Sequence, residues 1–500
     1  MSERGSPWLT GHPPRYPPVQ SAISADVVVV GGGITGLTAA YVLQQRGYDV
    51  AVVEADRIGS GTTGGTTGKV TSQHGVIYSD LIDRHGREVA SAYAMANQDA
   101  VEFIRSTAGA SAVECGLVTA SACVYAMDDE EHETLARECD VAVSLGLPAG
   151  MRDGAELPFP AAGVLEFTEQ AHLHPVRYCH LLATELVRLG GAVFERSRIT
   201  DLAEDSDQVV VSTADGSVTA DHAVVATLLP FIDRSGLFAR TTPWRAYGVA
   251  GRLRRPPPAG MYIGAGLPVR SFRPWPDGGE TGIVFVGESH QTGHDTASPA
   301  RWGALERWAR DHFEVESFDY RWSAQDYDTP DLLPFVGRSP LARRTYVAAG
   351  FRKWGLSNGT AGALMIADEI QGVANPLAAH FSPSRWGDFG ALVTTVRANA
   401  AVASKLAGDI FRHMGAQDIT ELGPGEGGLV RVGGRKAAAY RSPEGELHAL
   451  SPRCTHLGCM VAWNSAEKSW DCACHGSRFD IDGEIRSGPA TRPLEPFSQP

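Results

Sequence analysis

Two short boxes of cysteine and histidine near the C-terminal end could bind a metal centre. The first box contains Cys454 and His456, and the second contains Cys472 and His475. Two thiolates and two imidazoles can hold a [2Fe–2S] cluster, with the sulfur ligands on one iron and the nitrogen ligands on the other. The same ligand types suit tetrahedral zinc, although C-x-H and C-x-C-H are not the usual zinc spacings. The boxes therefore predict a metal centre and favour an iron–sulfur cluster.

The two boxes resemble those of the Rieske iron–sulfur family, in which each box supplies one cysteine and one histidine. The resemblance implies that the cluster ligands are Cys454, His456, Cys472 and His475. In the high-potential members, the two further cysteines form a disulfide that joins the cluster loops. The resemblance therefore also implies a disulfide between Cys459 and Cys474.

Two residues beside the second box bear on the cluster's redox potential. Ser477 stands where the family has a serine that donates a hydrogen bond to a bridging sulfide, whereas Phe479 stands where high-potential members have a tyrosine. Hydrogen bonds to the sulfurs tune the potential of such clusters. We therefore expect a midpoint potential below that of the high-potential members.

A second chemical feature lies near the N-terminus, where a glycine turn follows a valine-rich run. Residues 25–30 predict a buried parallel strand, 37–45 a helix, and 49–53 a second strand that ends at Glu54. Between them lies a G-x-G-x-x-G turn, whose glycines allow a tight bend, close approach of a pyrophosphate and helix–strand packing. This βαβ unit predicts a bound dinucleotide, contacted by Gly31, Gly33, Ile34, Thr35, Gly36, Glu54 and Ala55.

The segment after Glu54 favours FAD over NAD. Its glycine, serine and threonine residues, 59–74, resemble the loop that wraps flavin in the D-amino-acid oxidase-like family. The resemblance extends discontinuously over roughly residues 25–400, and includes a strand over 223–227 and a glycine-rich loop, 346–359, before a helix over 360–370. It implies FAD contacts from Thr62, Thr63, Thr66, Thr67, Gly68, Thr227, Gly350, Trp354, Gly355 and Leu356.

Substrate-binding residues have a weaker signal, because hydride transfer to flavin depends on positioning more than on an acid or base. Arg273 lies in a string that resembles the strand over the reacting face of the flavin, where a guanidinium could hold a carboxylate. An alternative interpretation fits the sequence equally well: Arg273 is a surface residue on an edge strand. Gln73 and Lys353 are expected beside the flavin. We predict these three as the catalytic residues.

These landmarks predict three units. An N-terminal arm, 1–24, precedes an α/β FAD-binding domain of Rossmann type built from 25–78, 160–230 and 325–400. An interleaved α+β substrate domain covers 79–159 and 231–324. A helix over 393–413 is expected to bridge to an all-β Rieske domain, 416–500, with the end of the linker at 401–415.

Bulk composition limits the partners and the location. A net charge of −14 without a basic cluster argues against nucleic acid. No apolar run is long enough to cross a membrane, and the proline-rich N-terminus has no secretory signal, so we expect a cytoplasmic protein without a membrane partner. Homo-oligomerisation is compatible with the sequence.

The two cofactors together predict an oxidoreductase. In the oxidase-like family, hydride leaves a carbon bonded to nitrogen, so the resemblance implies oxidation of an amine or amino acid. We expect the electrons to pass singly to the cluster and then to an external acceptor. The alternative is a reductase in which NAD(P)H reduces the flavin and the cluster serves a partner oxygenase. No second nucleotide-binding unit is evident for that alternative.

Overall fold

The computed structural model describes residues 5–11, 13–231, 236–293, 298–385 and 418–497. Its helices are α1 Ile34–Gln45, α2 Thr62–Gly65, α3 Tyr78–His85, α4 Arg87–Ala110, α5 Asp129–Ser144, α6 Pro175–Arg188, α7 Ser298–His312, α8 Gly355–Gln371 and α9 Ala378–Phe381. The first strands are β1 Ala22–Val30, β2 Val50–Val53, β3 Lys69–Val70, β4 Val118–Thr119, β5 Ala122–Ala126, β6 Ala149–Arg152, β7 Gly163–Phe167, β8 Ala171–His172, β9 Ala192–Phe194, β10 Asp201–Glu204, β11 Val209–Ser212 and β12 Ser217–Val225. The later strands are β13 Thr242–Leu253, β14 Met261–Gly264, β15 Ser271–Pro274, β16 Gly282–Gln291, β17 Val315–Asp328, β18 Phe335–Arg338, β19 Thr345–Ala349, β20 Gly427–Val432, β21 Arg435–Arg441, β22 Leu447–Leu450, β23 Val461–Asn464, β24 Ser469–Cys472, β25 Arg478–Phe479 and β26 Ile485–Ser487.

The first sheet has a parallel centre in the order β12–β1–β2–β9, with β19 parallel to β12 on the other side. Residues 27–30 of β1 are completely buried, which explains their unbroken apolar run. Strand β1 begins at Ala22, earlier than predicted, because its first residues pair in register with β12. Helices α1 and α8 pack on each other within the same hydrophobic core.

Helix α8 also begins earlier than predicted, at Gly355 instead of residue 360. Its glycines weaken the helical signal in the sequence. At Gly359 the glycine is needed for packing, because a Cβ atom there would lie 2.4 Å from the Thr35 Oγ1 atom of α1. Close approach of α1 and α8 therefore explains a glycine inside the helix.

The second sheet has the order β17–β13–β16–β15–β14–β5–β7–β6. It combines two separate chain segments, as predicted for an interleaved domain. The sheet includes residues beyond the predicted ranges 79–159 and 231–324. Strand β7 pairs with β5 and β6, and β17 continues to Asp328. Residues 163–167 and 325–328 therefore belong to the second sheet.

The C-terminal unit consists of two antiparallel sheets, β20–β21–β22 and β23–β24–β25–β26. Together, the three units confirm the predicted fold class of an α/β domain, an interleaved α+β domain and an all-β domain. The predicted linker helix, 393–413, and the range 401–415 lie outside the described residues. Among the described helices, none has both the length and the apolar character needed to span a bilayer.

Candidate redox site

A cavity of about 640 Å³ is lined by residues from all three units. Strands β1 and β2 contribute Val30 and Val53, and the second sheet contributes residues of β13, β14, β16 and β17. The C-terminal unit closes part of the wall with Arg486, Ser487 and Gly488. The volume is within the usual range for ligand pockets.

The glycine turn forms one end of this cavity. Its lining residues include four that the sequence predicted, Gly31, Gly33, Ile34 and Thr35. Gly31 has a φ of +111°, and a Cβ atom there would lie 2.6 Å from the Ala226 carbonyl oxygen. Gly36 lies behind the turn, where its Cβ would overlap the Gly31 carbonyl oxygen at 2.0 Å. Gly36 thus serves packing, whereas the other four residues border the ligand space.

Glu54 follows β2 and lines the cavity together with Ala55. Its Oε2 atom accepts a hydrogen bond of 2.6 Å from the Gly32 amide, and Oε1 accepts one of 2.9 Å from the Asp56 amide. Burial raises the pKa of the Glu54 carboxyl group above its ordinary value. An acidic side chain at the end of the second strand is suitably placed for ribose hydroxyls.

The loop after β2 supplies Thr62, Thr63, Thr66 and Thr67 to the cavity wall. Thr63 Oγ1 accepts a hydrogen bond of 3.2 Å from the Ile34 amide, which links the loop to the glycine turn. Thr62 Oγ1 donates a bond of 2.8 Å to the carbonyl oxygen of residue 325 in β17. Gly68 does not line the cavity; its φ is +78°, and a Cβ atom there would lie 2.4 Å from the Leu173 carbonyl oxygen.

The N-terminus of α8 forms a further part of the cavity wall. Trp354, Gly355 and Leu356 line the cavity there, and Thr227 lines it after β12. Gly350 is not part of the lining; its φ is +79° and a Cβ would lie 2.5 Å from Thr329 Cγ2. A helix N-terminus favours negative charge, such as that of a reduced flavin ring.

The predicted catalytic residues have different positions. Lys353 lines the cavity, and its Nζ atom donates a hydrogen bond of 2.9 Å to Ser289 Oγ. Gln73 is buried outside the lining, and its amide donates a bond of 2.9 Å to the Gly75 carbonyl oxygen. The structure therefore brings Lys353, and not Gln73, to the candidate site.

Arg273 lies in strand β15, as the resemblance implied, but it is not part of the cavity lining. It is 1% exposed, and its guanidinium donates hydrogen bonds to the carbonyl oxygens of Thr67, Leu173 and Pro274. It lies over the Trp8 ring, 5.1 Å from the ring centroid. These contacts link Arg273 to the end of the flavin loop at Thr67, and its role as a substrate anchor stays a prediction.

Lys69 lines the cavity but was not among the residues predicted from the sequence. Its Nζ atom donates hydrogen bonds of 2.7 Å to Ser271 Oγ and 2.8 Å to the Tyr262 carbonyl oxygen. Among the described residues, no carboxylate lies within salt-bridge distance of Lys69 or of neighbouring Arg273. Burial, and secondarily the charge of Arg273, lowers the pKa of Lys69 to about 7. The only signal in the sequence is a single charged residue at the end of a glycine and threonine loop.

Asp326 is a second missed residue, on the β17 side of the cavity. Its carboxylate accepts hydrogen bonds from the Tyr327 and Lys353 amides. Burial nevertheless raises the pKa of Asp326 to about 7. Lys353 and Asp326 thus place an amine and a carboxyl group in the lining of the cavity.

The four predicted cluster ligands lie together in the C-terminal unit. The ring centroids of His456 and His475 are 5.0 Å apart, and Cys454 and Cys472 are both buried beside them in the same hydrophobic cluster. Cys459 and Cys474 form the predicted disulfide. The residues fit a [2Fe–2S] cluster, because His475 Nδ1 is buried without a hydrogen-bond partner among the described residues and both thiols are free and buried.

Ser477 and Phe479 lie behind the cluster ligands. The Ser477 side chain is completely buried, and its Oγ atom accepts a hydrogen bond of 3.0 Å from the Ala490 amide. Phe479 is completely buried in β25. The expectation of a lowered midpoint potential stays a prediction.

The fold and the two sites define a flavin-dependent oxidoreductase joined to an iron–sulfur domain. Residues 26–369 match the family model of FAD dependent oxidoreductases (DAO), and residues 414–498 match that of the Rieske [2Fe-2S] domain. The chain therefore belongs to the DAO family and carries a C-terminal Rieske domain. Its cofactors are FAD and a [2Fe–2S] cluster, so the zinc alternative is excluded.

Known proteins resemble the chain over different lengths. It is 34% identical over 484 residues to the putative Rieske 2Fe-2S iron-sulfur protein YhfW of Bacillus subtilis, covering 96% of this chain and 95% of that protein. It is 29% identical over 236 residues to gamma-glutamylputrescine oxidoreductase of Escherichia coli, covering 45% and 55%. Glycine oxidase from Geobacillus kaustophilus shares the fold, with a TM-score of 0.60, 22% identity, and coverage of 73% of this chain and 99% of that one.

Proposed function

We propose that the protein is a dehydrogenase that oxidises a C–N bond of an amino acid or amine. FAD, when bound, supplies a hydride acceptor that can pass electrons on one at a time, and the resulting imine hydrolyses in water. The names of the E. coli relative and of the structurally similar glycine oxidase support a nitrogen-containing substrate. The electrons would pass through the Rieske domain to an external one-electron acceptor.

The buried position of Lys69 is the observation that most strongly supports an amino-acid substrate. Buried charged groups are normally paired, yet the described partners of the Lys69 ammonium are a hydroxyl and a carbonyl oxygen. An ammonium has three hydrogen-bond donors, so two described bonds leave one for a ligand in the cavity. A substrate carboxylate would complete the site, which favours amino acids over simple amines.

Other residues of the cavity would orient the substrate and exclude water. Val286 and Trp244 contribute apolar surface beside Ser271 and Ser289. Lys353 Nζ lies 5.9 Å from the centroid of the Trp244 ring, and burial lowers the pKa of Lys353. Lys353 and Asp326 would thus take up or release the substrate proton within the cavity. No charged pair at the surface of the protein is needed for this transfer.

An external acceptor needs access to the cluster loops. Leu457, next to ligand His456, is 56% exposed. This side of the first cluster loop is therefore open to an acceptor.

An anaerobic reduction experiment tests the proposal. The purified protein with both cofactors is mixed with NADH or NADPH, and separately with a panel of amino acids and amines, while the flavin absorbance is followed. We expect bleaching by an amino acid or amine, release of the corresponding oxo product, and no prompt bleaching by either nicotinamide. Prompt bleaching by a nicotinamide would instead identify a reductase that serves a partner oxygenase.

A further inference from the structure

The second cluster loop contacts strand β17 directly. Tyr327 donates a hydrogen bond of 2.9 Å from its hydroxyl to the carbonyl oxygen of ligand His475. Gln325 Nε2 donates a bond of 2.8 Å to the Gly476 carbonyl oxygen. Both Tyr327 and Gln325 line the FAD cavity. The same short piece of β17 therefore contacts the FAD cavity and the backbone of a cluster ligand.

The contact is close enough to require glycine in the cluster loop. Gly476 has a φ of +76°, and a Cβ atom there would lie 2.6 Å from Gln325 Nε2 and 2.7 Å from the Tyr327 hydroxyl. Phe238 adds an edge-on ring contact, with its centroid 4.8 Å from that of His475. The backbone of the loop thus contacts strand β17 of the second sheet directly, without an intervening side chain.

A buried ionic cluster fastens the two units beside this contact. Glu467 of the Rieske domain lies between Arg245 of β13 and Arg478 of its own domain, at 2.5 Å and 3.0 Å. Ser323 of β17 donates a further hydrogen bond of 2.5 Å to Glu467. Arg245 is only 1% exposed, so separation of the domains would leave a charged group without its partner.

We propose that these residues form a fixed docking surface that holds the cluster loops of the Rieske domain against the FAD cavity of the same chain. The salt bridge between Glu467 and Arg245 holds the Rieske domain against the second sheet. The hydrogen bonds from Tyr327 and Gln325 position the backbone at His475 and Gly476. A bound cluster, held by Cys454, His456, Cys472 and His475, would take up one electron at a time across this surface and would be reoxidised by a one-electron acceptor outside the chain. The inference rests on the two cofactors and holds for any electron donor to the flavin.

The test uses the full chain loaded with FAD and cluster. Glu467→Gln and Arg245→Met remove the ionic lock, and Tyr327→Phe removes only one hydroxyl. Arg321→Met is the matched control, because Arg321 lies on the same strand but pairs with Glu306 at a more exposed position, 2.6 Å away. Hydrogen exchange is measured for residues 318–328 and 466–479. Cluster reduction is timed after a light pulse that reduces the flavin photochemically, so no substrate is needed.

We expect exchange in both segments to be at least about tenfold faster in Glu467→Gln and Arg245→Met, because a broken buried pair favours local opening. Cluster reduction should slow by at least about tenfold in these variants and also in Tyr327→Phe, while Arg321→Met stays unchanged. Unchanged exchange and rates in variants that retain both cofactors would overturn the proposal. A dimer that dissociates in Glu467→Gln, with transfer rates that depend on protein concentration, would overturn the assignment to the same chain.

Discussion

Replacement of Lys69 by methionine should weaken carboxylate binding without emptying the flavin site. Lys69 Nζ already donates to Ser271 and Tyr262, and the third donor is the one assigned to the ligand. A hydrogen bond to a charged group contributes about 1.5–3 kcal/mol, which corresponds to a loss of roughly 10- to 150-fold in affinity. Methionine has a similar length and keeps the apolar contacts of the side chain.

The assay is a titration of the flavin spectrum with small monocarboxylates, from acetate to benzoate, and with the matching primary amides. We expect Lys69→Met to lose affinity for the carboxylates and to leave amide binding within about twofold, because only the charged hydrogen bond is removed. Lys436→Met, which removes a charge from β21 of the Rieske domain, serves as the control. Equal carboxylate affinity in Lys69→Met and the unmodified protein would refute the assignment of Lys69.

Further predictions concern protonation, the disulfide and the cluster potential. Since the pKa of Lys69 is about 7 in the folded chain against 10.5 ordinarily, carboxylate Kd should be constant below pH 7 and rise about tenfold per pH unit above it, and Lys69→Met should flatten this profile. Between pH 7 and pH 10.5 the unfolded chain binds one more proton at Lys69 than the folded chain, so the contribution of Lys69 to the free energy of unfolding increases with pH in this range. Denaturation of Lys69→Met and of the unmodified protein at several pH values measures this contribution. The double replacement Cys459→Ala with Cys474→Ala should lower the free energy of unfolding by about 3 kcal/mol, because the disulfide closes a loop with a sequence separation of 15 residues. Denaturant titration measures this loss, and an unchanged unfolding midpoint would contradict the prediction. Phe479→Tyr should raise the cluster midpoint potential in a redox titration if its hydroxyl reaches a cluster sulfur, and a lowered potential would contradict the reasoning.

The cluster site could be predicted almost completely from the sequence, because its ligands lie in two short boxes. The spacing within Cys454–His456 and Cys472–His475 determines which side chains a loop can bring together. The disulfide partners stood in the same boxes and were implied by the family resemblance. The resemblance of these two boxes to a known family carried this information, so no knowledge of the wider fold was needed.

The substrate end of the cavity could not be predicted in the same way. Lys69 and Ser271 meet only because β3 and β15 come together in the folded chain, about two hundred residues apart in sequence. Arg273, two residues from Ser271 on β15, was preferred on resemblance, but the sequence did not show that its guanidinium donates hydrogen bonds to the carbonyl oxygens of Thr67, Leu173 and Pro274. The docking surface of β17 likewise depends on contacts between domains, which leave no pattern in either segment alone.

If the proposed function holds, one organic substrate reduces both cofactors within the chain. The most direct test counts electrons in an anaerobic titration with the amino acid or amine that bleaches the flavin. Because flavin takes two electrons and the cluster takes one, complete reduction should need about 1.5 equivalents of substrate per chain, and about one equivalent in a Cys454→Ser variant without the cluster. An endpoint of one equivalent in both proteins, with the cluster still oxidised, would contradict the account.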